Sequence, residues 1–292
     1  MSFMKSNGGS GIGDDCAGYP SNTICSIRLK LIVVIPAFNE EGSLGHVIAR
    51  VPRRFSPLVD VEVLVVNDGS MDQTEEIAKA AGCDHIVAFL RNRGLGAAVR
   101  EGLREAYRLG ADLAIMIDAD DEYPADYIPQ IVEPILAGRA DYVLASRFKR
   151  RVKGMKQYRR VGNVCFTLLQ ILLLRRWISD GQTGFRAFSR AVLRDLEIIH
   201  DYNYAQVMTM NIVRKGYRIT EIDIPYKVRE TGESFITFRG YMTNVLPAIW
   251  LEFRRKQVKL PILSMDNKQV QPEWYTEVSM QEEIDLFRRW SR

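Results

Sequence analysis

Cysteine and histidine are both scarce in this chain of 292 residues, which has four cysteines and three histidines. No two cysteines form a C-x-x-C pair, and no histidine lies near a cysteine at metal-ligand spacing. A zinc site and a disulfide-stabilised scaffold are therefore not expected. Scattered thiols suit a reducing compartment, so we predict a cytoplasmic location. The three histidines are interpreted as surface or packing residues.

The sequence also lacks a strong charge bias and a long hydrophobic run. Its formal net charge is only +4, which does not favour nucleic acid as a partner. The longest apolar stretch is Val164–Leu174, which Thr167 and Gln170 interrupt. Because a membrane-spanning helix needs about 20 apolar residues, we expect the chain to lie on a membrane without crossing it. Residues 1–27 are predicted to be a disordered tail without the apolar run of a signal peptide.

What is present is an alternation of apolar runs and helical patterns. The runs are Lys30–Ile35, Val61–Val66, His85–Leu90, Leu113–Ile117 and Tyr142–Ala145. Helical patterns lie between them near 43–50, 73–81, 95–109 and 126–137. This order predicts an α/β fold with a mostly parallel central sheet that helices cover on both faces. In such sheets ligands bind beyond the carboxyl ends of the strands.

Three acidic clusters follow three of the predicted strands. They are Pro36–Glu41, Asn67–Ser70 and Asp118–Glu122. A lone acidic turn is usually a helix cap. Since all three clusters fall at strand carboxyl ends, we expect them to converge on one crevice. Asp118 and Asp120 are two residues apart, a spacing that presents carboxylate oxygens to one Mg²⁺ or Mn²⁺ ion shared with a diphosphate.

The segment Gly94–Ala98 allows a different interpretation. It follows a strand and opens a helix, as a dinucleotide-binding glycine loop does. The third glycine of that fingerprint is missing, and the first strand ends in Pro36–Glu41 instead of glycines. We therefore interpret these glycines as residues that let the helix pack closely, in preference to an NAD-binding site.

The clusters together resemble the signatures of family-2 inverting glycosyltransferases of GT-A fold, over roughly residues 29 to 240. Ala145–Phe148, Asp180–Arg186 and Arg229–Ser234 further resemble the dolichol-phosphate mannosyltransferases and related polyprenyl-phosphate glycosyltransferases. The resemblance implies a Rossmann-like fold that binds a nucleotide-diphosphate sugar of the GDP-mannose, UDP-glucose or UDP-N-acetylglucosamine type. It also implies a lipid phosphate acceptor.

The resemblance assigns roles to matching positions. The nucleoside is expected at Pro36, Ala37, Phe38, Glu40, Val66 and Asp68. The diphosphate and metal are expected at Asp118, Ala119, Asp120 and Glu122, with Asp118, Asp120 and Glu122 as metal ligands. Arg147 and Arg229 are expected to face phosphates, because a guanidinium fork suits bidentate contact. Asp180 is expected near the reacting sugar, so the predicted catalytic residues are Asp120, Asp180 and Arg147.

One position departs from the mannosyltransferases. Phe235 follows Gly232-Glu233-Ser234 where they have a lysine that holds phosphate. This weakens the case for GDP-mannose and leaves the base and sugar open. A basic residue such as Arg186 or Arg239 is a candidate to take over the phosphate contact.

Two features indicate an anionic membrane surface. Residues 149–160 hold seven basic side chains and no acid, and 241–256 shows an apolar stripe that ends in Arg254-Arg255-Lys256. The first could instead be a solvated loop, and the second could be core packing or an oligomer interface. A homo-oligomer or a membrane-protein partner is left open. An interfacial helix is the prediction that we carry forward.

The predicted organisation is a GT-A catalytic domain at 28–240, with a nucleotide-sugar half at 28–147 and an acceptor half at 148–240. An amphipathic interfacial helix at 241–256 and a tail at 257–292 follow. The predicted activity is inverting transfer of a hexose to a polyprenyl phosphate on the cytoplasmic face of a membrane. The alternatives are transfer to a soluble hydroxyl acceptor or glycolipid, and a non-catalytic nucleotide-sugar-binding scaffold.

Overall fold

The computed structural model describes residues 28–147, 178–201, 204–225 and 247–256. Its described strands form one seven-stranded sheet in the order β3-β2-β1-β4-β6-β5-β7. The strands are β1 Leu29–Ala37, β2 Val59–Asn67, β3 His85–Ala88, β4 Leu113–Met116, β5 Tyr142–Ser146, β6 Arg186–Ser189 and β7 Ile219–Asp223. All of these except β6 run parallel to one another. The prediction of a mostly parallel sheet is confirmed.

Helices cover both faces of this sheet. They are α1 Leu44–Arg50, α2 Thr74–Ala80, α3 Leu95–Arg108, α4 Ile128–Leu136, α5 Arg190–Asp195 and α6 Tyr204–Arg214. A short 3₁₀ turn, Ala125–Tyr127, precedes α4. Residues 247–254 are also helical and are called α7 here. The predicted helical patterns within 28–147 match α1 to α4 to within a few residues.

Strands β1, β4 and β5 are apolar along most of their length because both of their faces are buried. In β1, Val33 and Ile35 pack into the layer that contains α1, α2 and α4, whereas Ile32 and Val34 pack against α3, α5 and α6. Successive residues of a strand point to opposite faces, so this arrangement requires a continuous apolar run.

The antiparallel strand β6 was not predicted, and it has a consequence for the site. It lies between β4 and β5 and pairs with both. Because it runs in the opposite direction, its first residue lies at the edge where its two neighbours end. The chain that precedes β6 therefore crosses the carboxyl edge of the sheet.

Several predicted features lie outside the described residues. These are the tails at 1–27 and 257–292, the basic cluster at 149–160, the stretch Val164–Leu174, residues 241–246 and Arg229, Phe235 and Arg239. Among the residues that the structure does describe, no helix has the length and apolar character needed to cross a bilayer.

Candidate active site

The first two acidic clusters form one wall, because backbone and side-chain groups join them. The amide of Asn39 donates to Ser70 Oγ at 3.0 Å, and the amide of Met71 donates to Asn39 Oδ1 at 2.9 Å. The amide of Glu40 donates to Thr74 Oγ1 at 2.9 Å. Asn39 has a φ of 54°, which non-glycine residues seldom adopt. The loops after β1 and β2 are thus held in a single arrangement.

Asp68 joins this wall to the start of α3. Its carboxylate is buried and accepts from the amides of Arg93 at 2.7 Å and Gly94 at 2.9 Å. Its own amide donates to the carbonyl of Ala37 at 2.9 Å. Asp68 therefore has a structural role at the position where the resemblance predicts a nucleoside contact.

The remaining predicted nucleoside positions lie at the same edge but differ in exposure. Pro36 pairs with Val66 in the sheet, and both side chains are buried. Val66 is 0% exposed as a whole residue, so it presents neither its side chain nor its backbone at the surface. Phe38 is exposed at the end of β1, and Glu40 accepts from Ser43 Oγ at 2.7 Å.

Asp118 marks the third acidic cluster and lies beside the end of β1. The amide of Ile117 donates to the carbonyl of Val34 at 3.1 Å, which continues the pairing of β4 with β1. Asp118 is partly exposed as a residue, yet its Oδ1 is enclosed and has no hydrogen-bond partner among the residues that the structure describes. Burial, followed by the charges of Asp120 and Glu122, raises the pKa of Asp118 to about 7.

These carboxylates fit a divalent cation that is shared with a phosphate ligand. An enclosed carboxylate oxygen without a donor is costly unless a cation meets it, and two further carboxylates lie close enough to perturb its pKa. Within the described ranges, no group of three Asp, Glu, His or Cys side chains is placed to hold a metal alone. Mg²⁺ and Mn²⁺ commonly bind through one or two carboxylates and complete their shell with phosphates and water.

A second charged element, Arg147 with Asp180, lies beside this cluster. Arg147 Nε donates to Asp180 Oδ2 at 2.6 Å, and Arg147 Nη2 donates to Oδ1 at 2.9 Å. Asp180 is 0% exposed and Arg147 is 8% exposed. The structure thus brings together two predicted catalytic residues as a buried bidentate ion pair.

Tyr123 connects this ion pair to the acidic cluster. Its ring lies under the Arg147 guanidinium, 6.0 Å from centroid to Cζ, and packs against Phe185 at 5.8 Å. Its hydroxyl accepts from the amide of Gly184 at 2.9 Å. Burial raises the pKa of Tyr123 well above its usual value, so the hydroxyl stays protonated. No role for this tyrosine could be predicted from the sequence, because its neighbours come from distant segments.

Gly184 is required by the close approach of Asp118. A Cβ built on Gly184 would lie 1.9 Å from Asp118 Oδ2. No side chain fits there without moving the carboxylate. This contact joins the segment before β6 to the acidic cluster.

Arg186 does not take the place of the missing lysine. Its side chain is fully buried, and its Nη1 donates to the carbonyl of Ala205 and to Thr209 Oγ1, each at 2.9 Å. Its Nε donates to the carbonyl of Thr183 at 2.7 Å. The expectation that Arg186 could hold a phosphate is therefore wrong, because its donors are used inside the protein.

The chain resembles known proteins in both sequence and fold. Residues 32–197 match the model of the family described as glycosyl transferase family 2. The chain is 30% identical over 251 residues to a UDP-N-acetylglucosamine–dolichyl-phosphate N-acetylglucosaminyltransferase of Methanococcus voltae, covering 79% of this chain and 97% of that protein. It is 32% identical over 212 residues to a dolichyl-phosphate hexose transferase of Haloferax volcanii, covering 72% and 88%.

A solved structure with a similar fold is that of glucosyl-3-phosphoglycerate synthase from Mycobacterium tuberculosis, in complex with Mn²⁺, UDP and phosphoglyceric acid. The TM-score is 0.63 and the identity is 21%, over 78% of this chain and 80% of that one. At this identity the likeness concerns the fold.

Proposed function

Because this chain belongs to glycosyl transferase family 2, we propose that it transfers a hexose from a nucleotide-diphosphate sugar to a polyprenyl phosphate, with inversion at the anomeric carbon. The chain is a glycosyltransferase of GT-A fold. Its curated relatives from Methanococcus voltae and Haloferax volcanii are named for dolichyl-phosphate acceptors, which supports a lipid phosphate here.

The observation that carries the proposal is the buried Arg147–Asp180 pair beside the Asp118 cluster. A hydroxyl acceptor needs a general base to remove its proton. Both oxygens of Asp180 already accept from Arg147, which makes this carboxylate a poor candidate for a base. A phosphate monoester is anionic at neutral pH, since its second pKa is about 6, and it needs orientation by a cation such as Arg147.

The donor is assigned to the other side of the same edge. One or two of the carboxylates of Asp118, Asp120 and Glu122, together with phosphate oxygens, would hold Mg²⁺ or Mn²⁺, which would neutralise charge on the departing diphosphate. The wall formed by the loops after β1 and β2 would hold the nucleoside, with Phe38 and Glu40 at its surface. Arg147 would hold the acceptor phosphate in line with the anomeric carbon, and Asp180 would orient the guanidinium.

Association with an anionic membrane surface is supported by α7. Its polar residue Glu252 is buried and accepts from Asn211 Nδ2 at 3.2 Å, whereas Trp250 is 53% exposed and Phe253 is 39% exposed. Arg254 stacks over Trp250 at 5.0 Å. An exposed aromatic face with adjacent cations suits the lipid headgroup region. We place this surface on the cytoplasmic side.

The test is a screen of nucleotide sugars against a short polyprenyl phosphate, with Mg²⁺, Mn²⁺ or a chelator. The matched acceptor control is the corresponding polyprenol, which has a hydroxyl and no phosphate. We expect metal-dependent transfer to the phosphate alone, and loss of turnover in Asp120→Ala with the fold retained. Transfer to the polyprenol or to a soluble sugar at equal rate would refute the proposed acceptor.

A further inference from the structure

The segment of residues 178–185, called the edge loop here, is held by a carboxylate from the far end of the sheet. Glu221 on β7 accepts through Oε1 from the amide of Ser179 at 2.8 Å and from the amide of Asp180 at 3.2 Å. A carboxylate that accepts two successive amides fixes the orientation of both peptide groups. Glu221 thus acts directly on the backbone that carries Asp180.

A group of opposite charge holds the next part of the edge loop. Arg186 Nη2 donates to the carbonyl of Gly181 at 2.9 Å, and its Nε donates to the carbonyl of Thr183. Leu144 of β5 pairs with Arg186 on one side and with Glu221 on the other. Residues directly opposite in a sheet share a face, so the anion and the cation flank Leu144 beneath the edge loop. Glu221 binds amides of the edge loop, and Arg186 binds carbonyls of the same loop.

The start of the edge loop also reaches the residue before Arg147. Ser179 Oγ lies 2.7 Å from Ser146 Oγ, and the Asp180 carboxylate accepts from the Arg147 backbone amide at 3.2 Å as well as from its side chain. The position of the Arg147 guanidinium therefore depends on the Ser179–Asp180 backbone, and that backbone is fixed by Glu221.

We propose that Glu221 is a positioning residue, which sets the Arg147–Asp180 pair in the geometry that receives the acceptor phosphate. The inference rests on the proposed function for the identity of the acceptor. Glu221 is better suited to a test than Arg186. It is only partly buried on the edge strand β7, whereas Arg186 is enclosed in the core.

The test compares two substitutions of Glu221. Glu221→Ala removes the oxygen that accepts hydrogen bonds from the two amides, whereas the amide oxygen of Glu221→Gln can still accept them. We expect Glu221→Ala to lower kcat/KM for the polyprenyl phosphate by about 10- to 100-fold, as small misplacements of a positioned group do. Glu221→Gln should stay within about threefold of wild type, because it loses only the charge assistance. The affinity for the metal and nucleoside diphosphate should be unchanged in both. A general loss of structure would not produce this pattern.

Two further variants complete the set. Glu133→Ala removes an exposed carboxylate of α4 that pairs with Arg139, and it should leave kcat/KM unchanged. Glu221→Met keeps the side-chain length but has no oxygen to accept the two amide hydrogen bonds. It replaces Glu221→Ala if that variant does not fold. A Glu221→Ala or Glu221→Met protein within twofold of wild type would overturn the proposal. Equal losses in the Ala and Gln variants would overturn it too.

Amide exchange by NMR separates this inference from the proposed function. Glu221→Ala should speed exchange at Ser179 and Asp180 by about tenfold or more, and Glu221→Gln should not. Unchanged exchange at both amides contradicts the role of Glu221 whatever the acceptor is. If the wild-type protein does not transfer sugar to polyprenyl phosphate, the proposed function fails. The same variants are then compared with the acceptor substrate that the wild-type protein uses.

Discussion

Asp118 and Gly184 show how a single residue type can be dictated by a contact across the sheet. Asp118 follows β4, and Gly184 precedes the strand β6 that pairs with β4. Their approach leaves no room for a Cβ at residue 184. The acidic cluster and the edge loop therefore have to be arranged together, and a small change in either one shifts the other.

Gly184→Ala should lower transferase activity by about 100-fold, because the new methyl group would displace the Asp118 carboxylate from the position where we propose that it meets the metal and diphosphate. Gly42→Ala is the matched control, since a Cβ at Gly42 would meet no atom of the described residues within 4 Å. Initial transfer rates, with circular dichroism to confirm folding, provide the measurement. Full activity of Gly184→Ala would show that the carboxylate does not need its present position.

The site could be predicted from sequence only where one segment carries the signal. Asp118, Asp120 and Glu122 lie in a single cluster after an apolar strand, and their association with the other acidic turns followed from parallel strand order. The role of Glu221 could not be predicted from the sequence, because its partners Ser179 and Asp180 are brought to it by pairing between strands. Asp68 was predicted as a ligand residue, and what the structure shows is that its carboxylate holds the start of α3.

At the scale of elements, β1 to β5 were predictable because each is an apolar run followed by polar turn residues. β6 was missed, since Arg186-Ala187-Phe188-Ser189 is short and begins with a charge that is buried only by tertiary contacts. Helix α7 was predicted from its apolar stripe. The residues of this stripe differ in exposure in the structure, since Ile249 is buried while Phe253 is half-exposed. Packing against α6 decides which side faces outward, and this cannot be derived from periodicity alone.

The outward face of α7 leads to a prediction about membrane binding. Trp250→Ser with Phe253→Ser should reduce flotation with vesicles that contain anionic lipid by about tenfold or more, since two large aromatic groups would no longer enter the interface. Flotation on a density gradient at fixed lipid concentration measures this.

The matched control is Leu58→Ser with Leu136→Ser, which removes two exposed leucines from other parts of the surface. These substitutions should leave flotation unchanged while keeping a similar overall hydropathy. Equal flotation of the Trp250/Phe253 variant and wild type would assign membrane binding to another part of the chain.

At the scale of the whole molecule, the acidic cluster imposes a cost on folding that the proposed ligands would relieve. Asp118 has an ordinary pKa of 3.8 when exposed and about 7 when folded. The folded state therefore binds more protons than the unfolded state between these values, and stability contributed by this group falls as pH rises from about 4 to 7. The ionised carboxylates repel one another, and the proposed cation and diphosphate would offset their charge.

Replacing Asp118 with Asn should remove this cost. In a chelator, we expect Asp118→Asn and wild type to have similar unfolding free energies near pH 4. At pH 8 the variant should be more stable by at most about 4 kcal/mol, since roughly three pKa units correspond to about 1.4 kcal/mol each. Urea unfolding across this pH range measures the difference. Mn²⁺ with a nucleoside diphosphate should stabilise wild type more than the variant, because the variant lacks one of the carboxylates proposed to attract the cation. Parallel pH profiles in the chelator would mean that Asp118 ionises in the folded protein as readily as in water, and the enclosed carboxylate would then need no cation to balance it.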